Sequence, residues 1–115
     1  MYERKDAFYK KAKQEGYRSR AAYKLLELHK TFHVINRGDR VVDLGSWPGG
    51  WAQVAAAVVG REGKVVGVDV VELDPLPLEQ VTFLQGDATD PALHHTILTL
   101  LGGRADVVLS DMAPK

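Results

Sequence analysis

The chain has 115 residues, no cysteine, 26% charged and 45% hydrophobic side chains, and a formal net charge of zero. Such a composition describes one soluble globular domain with enough apolar surface for a core and no apolar stretch long enough to cross a bilayer. Without cysteine there is no disulfide framework, thiolate zinc site or cysteine nucleophile, and the charged, aromatic N-terminus is no secretory leader, so cytoplasmic residence is expected.

The neutral total conceals a division along the chain. Residues 1–24 carry eight basic side chains, Arg4, Lys5, Lys10, Lys11, Lys13, Arg18, Arg20 and Lys24, against three acidic ones, a net +5 that leaves −5 for the remainder. Tyr2, Phe8, Tyr9, Tyr17 and Tyr23 are interleaved with these cations. Cations neutralise phosphates and rings stack on unpaired bases, so the arm is expected to bind RNA through Arg4, Lys5, Lys10, Lys11, Lys13, Arg18 and Arg20. A solvated terminus is the competing account; the interleaved rings favour RNA.

Ser19 has the character of an N-cap for a helix from about Arg20 to Phe32, with Ala22, Leu25, Leu26, His29 and Phe32 on one side and Lys24 beside that stripe. Arg37-Gly38-Asp39 predicts a turn and Val41 to Leu44 a first strand, apolar on both faces. The chain then breaks at Gly45-Ser46-Trp47-Pro48-Gly49-Gly50 and resumes as a helix to Val59, with Gly60 as its stop. Lys64 to Asp69 reads as a second strand, Pro75 and Pro77 keep the next stretch a loop, and Gln80 to Gln85 is a third strand. Asp90-Pro91 predicts an N-cap and first helical residue for a helix ending at Gly102-Gly103, and Ala105 to Asp111 a fourth strand.

Strands alternating with helices predict an α/β fold with a parallel sheet in the order 3-2-1-4 and a ligand crevice above its carboxyl ends. Asp43, Asp69, Asp87 and Asp111 all fall at or near those ends. A nicotinamide site would need G-x-G-x-x-G, and the run from Gly45 lacks the second glycine. S-adenosylmethionine has no phosphate and carries a sulfonium, which suits a crevice lined by acids; Asp69 is placed to accept from ribose hydroxyls and Asp87 from an adenine amine. His29, His33, His94 and His95 form no ligand pattern, and no metal site is expected.

Four stretches in register carry a resemblance: Tyr17-Arg18-Ser19-Arg20-Ala21-Ala22-Tyr23-Lys24-Leu25, Val42-Asp43-Leu44-Gly45 with Pro48-Gly49-Gly50-Trp51, Leu84-Gln85-Gly86-Asp87, and Ser110-Asp111-Met112-Ala113-Pro114. Together they resemble the FtsJ-like (RrmJ-like) RNA 2′-O-methyltransferases, a Rossmann-like methyltransferase fold. The resemblance implies that Gly49, Trp51, Asp69, Asp87 and Asp111 contact S-adenosylmethionine, with Gly45 in the glycine turn beside them. It also implies that Lys24 and Asp111 are the first two members of a Lys-Asp-Lys-Glu catalytic tetrad.

Enzymes of this kind methylate a ribose 2′-hydroxyl, the bacterial branch on a uridine of the large-subunit ribosomal RNA. The chain departs from the expected pattern at Ser46-Trp47, where two small residues would stand. The second lysine and the glutamate would lie downstream of Lys115. The expectation is therefore an N-terminal part comprising a basic arm (1–24) and a cofactor-binding core (40–115), with later strands missing, that binds cofactor and transfers methyl groups very slowly. Its fourth strand would be an apolar edge open to self-association. The alternatives are a transfer-RNA or messenger-cap methyltransferase of the same superfamily and a non-catalytic cofactor- or RNA-binding module.

Overall fold

The computed structural model describes residues 16–110. In chain order these form α1 (Ala21–Phe32), β1 (Arg40–Leu44), α2 (Gly50–Val59), β2 (Lys64–Asp69), β3 (Val81–Gln85), α3 (Pro91–Leu101) and β4 (Val107–Ser110). The strands are all parallel and lie in the order β3-β2-β1-β4, the order predicted from the alternation of elements. Val41 of β1 sits beside Val65 of β2 on one flank and Val107 of β4 on the other.

Valine recurs through β1 and β2 because both strands are covered on both faces, where β-branched side chains pack well. Successive side chains on a strand point to opposite faces. Val41, Val65 and Leu109 accordingly pack with Ala22 and Leu25 of α1 and with Trp51, Val54 and Val59 of α2. Val42, Val66 and Val68 pack with Ile97 and Leu101 of α3. Each of these fully buried valines contributes about 2 kcal/mol relative to exposure. On β4, Leu109 is buried and Val108 exposed, and among the described residues this strand pairs only with β1.

Local signals account for the helix ends with two corrections. Asp90 Oδ1 accepts from the Ala92 N–H at 3.0 Å ahead of Pro91, and Gly102 ends α3 in the left-handed region at φ 74, both as the sequence predicts. Ser19, however, does not cap α1. The N-cap is Arg20, without a side-chain bond, and Ser19 instead packs against Gly50, where an added Cβ would come within 2.5 Å of its Oγ. The second correction is Phe32, which is 68% exposed although it continues the apolar spacing. No helix among the described residues is long and apolar enough to cross a membrane.

Candidate functional site

Because the strands run parallel, β1, β2 and β3 deliver their carboxyl ends, and the acids there, to one edge of the sheet. The glycine turn is fastened to that edge. Gly45, at φ 72, and Ser46 donate their N–H groups to the Val68 carbonyl at 2.8 and 3.0 Å. Beneath them Asp43, 1% exposed, accepts from the Ser46 hydroxyl at 2.8 Å, so this acid ties the turn together.

Asp69 holds two loops at once. Its Oδ2 accepts from the Trp47 N–H at 2.9 Å and its Oδ1 from the Val71 N–H at 3.0 Å. Each carboxylate oxygen has a second lone pair, so Asp69 keeps acceptor capacity for a ligand. Asp87 Oδ1 accepts from both the backbone N–H and the hydroxyl of Thr89, at 2.9 and 2.7 Å. These bonds, the backbone one foremost, hold the Asp87 carboxyl below its ordinary range.

A group with a depressed pKa stabilises the fold above its unfolded value and loses that contribution as pH falls through the folded value. Thr89→Val removes the hydroxyl bond and leaves the backbone one. The Asp87 pKa is expected to rise part of the way toward its ordinary value, as read by NMR titration of the carboxyl carbon, and the acid-dependent loss of stability to become smaller and to be complete at a higher pH.

Gly45, Asp69, Val70, Gly86, Asp87 and Ala88 line a cavity of about 380 Å³, with the Asp69 and Asp87 carboxylates joined by a mostly apolar lining. A second cavity of about 270 Å³ shares Gly45 and adds Arg20, Asp43, Trp47 and Trp51. Another, of about 300 Å³, opens at the amino ends of β2 and β3 beside Arg61 and Glu79. Open α/β sheets bind ligands at their carboxyl ends, so the first two are the candidate site.

The remaining predicted residues are placed differently. Gly49 is the N-cap of α2 at φ 113, and a Cβ there would lie 3.2 Å from Arg18 Cδ and 3.3 Å from Phe83 Cζ; it lines neither candidate cavity. Trp51 is 7% exposed and its Nε1 donates to the Ala21 carbonyl at 2.6 Å, joining α2 to the start of α1. Lys24 lies on α1 one turn beyond Arg20, its side chain exposed. Asp111, Arg4, Lys5, Lys10, Lys11 and Lys13 lie outside the described residues.

Arg18 faces inward, which revises its predicted place among the RNA contacts. Its guanidinium donates to the carbonyls of Pro48 at 3.3 Å, Asp74 and Pro75 at 2.8 Å, and lies 5.8 Å from the centre of the Phe83 ring. Three carbonyl dipoles and an aromatic face occupy the cation, which pins the glycine turn to the loop after β2. Arg20 is exposed, and its guanidinium makes no hydrogen bond or ion pair among the described residues. Sequence reading missed Thr89 as a partner of Asp87, although an acid two residues before a threonine is a recognisable turn signal.

The sequence profile of the family described as FtsJ-like methyltransferase matches residues 17–115. The chain belongs to the FtsJ-like methyltransferase family. Among curated FtsJ-like relatives, it is 52% identical over 111 residues to the ribosomal RNA large subunit methyltransferase E of Methanothermobacter thermautotrophicus, covering 96% of this chain and 53% of the relative. It is 54% identical over 110 residues to the protein of that name from Marinobacter nauticus, covering 95% and 52%. The chain thus spans about half the length of the curated relatives it matches. Among solved structures, a Plasmodium falciparum chain described as a ribosomal RNA methyltransferase superposes with a TM-score of 0.75 at 32% identity, over 86% of this chain and 58% of that one.

Proposed function

We propose that this chain provides the cofactor-binding core (40–115) and basic arm (1–24) of an S-adenosylmethionine-dependent RNA ribose 2′-O-methyltransferase acting on a uridine of the large-subunit ribosomal RNA. The observation that carries the reading is the convergence of Gly45, Asp69 and Asp87 on one cavity of about 380 Å³, within the usual range for a small-molecule ligand. The names borne by the relatives support the substrate.

The donor set suits an adenosyl group. Asp69 accepts from the ribose hydroxyls with the lone pairs its backbone bonds leave over, and the ionised Asp87 accepts from the adenine amine. Gly45 and Gly86 let main chain approach the ligand, and Val70 gives it an apolar wall. Two carboxylates facing the cavity oppose a diphosphate and tolerate a sulfonium. When bound, S-adenosylmethionine supplies an electrophilic methyl group for in-line displacement.

The chain's own task is then alignment. Lys24 and Asp111 are assigned to orienting the ribose 2′-hydroxyl and to tuning the base that removes its proton. Arg4, Lys5, Lys10, Lys11, Lys13 and Arg20 are assigned to phosphates. Calorimetric titration tests the reading at its root: S-adenosylmethionine is expected to bind with 1:1 stoichiometry and NAD not to bind, and the opposite preference would overturn it.

A further inference from the structure

Trp47 is 56% exposed, whereas Trp51 four residues later is buried in the core. Its mounting is firm. The Trp47 N–H is held by Asp69 Oδ2 at 2.9 Å, and the carbonyl of the following Pro48 accepts from the Arg18 guanidinium at 3.3 Å. The indole forms a ridge between two cavities: one of about 270 Å³ shared with Arg20 and Asp43, and one of about 400 Å³ shared with Tyr17, Glu72 and Asp74. The two sides differ in their exposed charges: Arg20 on the first, where Asp43 is buried, and Glu72 and Asp74 on the second, where the Arg18 guanidinium is engaged by the carbonyls of Pro48, Asp74 and Pro75.

We infer that Trp47 is a stacking platform for an unpaired RNA base, which lies against the indole on the side of Arg20 while the Arg20 guanidinium meets the neighbouring phosphate. The inference rests on the RNA reading above and names a residue within that site. A π-face stacks on any base if it is exposed, and Trp47 presents its indole to solvent from a backbone held in place by Asp69. On the other side of the ridge Glu72 and Asp74 outnumber Arg18, whose donors are already taken by backbone carbonyls, so the strand runs past Arg20. The +5 charge of residues 1–24 supplies the attraction that brings it there.

The chain has two tryptophans, so Trp47→Phe leaves Trp51 as the sole indole reporter. We expect single-stranded oligouridylate to quench the emission of the unsubstituted chain and not that of Trp47→Phe, which keeps its affinity within about threefold. Trp47→Ala is expected to weaken oligouridylate binding about 10- to 100-fold with an unchanged salt dependence. Arg20→Ala should instead flatten the slope of log affinity against log salt by about one.

Trp47→Ala is expected to lose far more affinity for oligouridylate than for S-adenosylmethionine, because Trp47 does not line the 380 Å³ cavity that Asp69 and Asp87 share. The proposal is overturned if Trp47→Ala binds the oligonucleotide like the parent, or if it loses affinity for S-adenosylmethionine instead, which would assign the indole to the cofactor. Should the parent bind S-adenosylmethionine and ignore oligouridylate, the RNA reading itself fails and the stacking platform falls with it.

Discussion

Asp69→Ala is expected to weaken S-adenosylmethionine binding about 100-fold, measured by calorimetry at neutral pH. Hydrogen bonds to a charged group contribute about 1.5–3 kcal/mol each, and 100-fold corresponds to about 2.7 kcal/mol. Beyond removing a ligand acceptor, alanine releases the N–H groups of Trp47 and Val71, the anchor points of the glycine turn and the loop after β2. Asp69→Asn separates these effects. Its oxygen still accepts from one N–H, while its amide turns donors toward the other and toward the ribose, so about a tenfold loss is expected. Unchanged affinity in Asp69→Ala would remove the 380 Å³ cavity from the cofactor reading.

Gly67→Ala is expected to destabilise the fold by about 2–3 kcal/mol in urea unfolding, a large effect for one methyl group. Gly67 is buried in the middle of β2, and an added Cβ would lie 2.6 Å from Phe83 Cδ1 and collide with the Ser46 hydroxyl. Neither neighbour has room to yield. Ser46 is the donor to buried Asp43, and the Phe83 ring lies beneath the Arg18 guanidinium. The substitution therefore disturbs the glycine turn as well as the sheet. Phe83→Leu, combined with Gly67→Ala, should recover part of the loss through coupling between contacting residues. Additive losses would show that the two side chains do not collide.

The sheet order, the strand-end acids and the α3 caps were legible because each rests on neighbours in sequence: valine runs, an acid before a glycine turn, Asp90 before Pro91, Gly102 after Leu101. The misread residues answer to distant partners. Ser19 resembles a cap locally, yet its surroundings are set by Gly50, far along the chain. Arg18 counts as one more cation in a basic arm until the carbonyls of Asp74 and Pro75 are brought to it from 56 and 57 residues away. Phe32 keeps the apolar spacing but remains exposed at the end of α1. At Trp47 the residue type is visible in the sequence, while the exposure that gives it meaning is a property of the folded surface.

The interleaved order β3-β2-β1-β4 also has a consequence for biosynthesis. Among the described residues every strand pairing is parallel, so none closes as a hairpin and β1 waits for segments that leave the ribosome later. The pocket joining Asp69 to Asp87 is built from residues 45–89 and so can assemble before β4, at residues 107–110, emerges to flank β1. At about 5–20 residues per second, the interval between synthesis of the last pocket residue and the end of β4 is on the order of a second. Methyl donor present during translation would then act as a folding template, stabilising the half-built sheet by mass action.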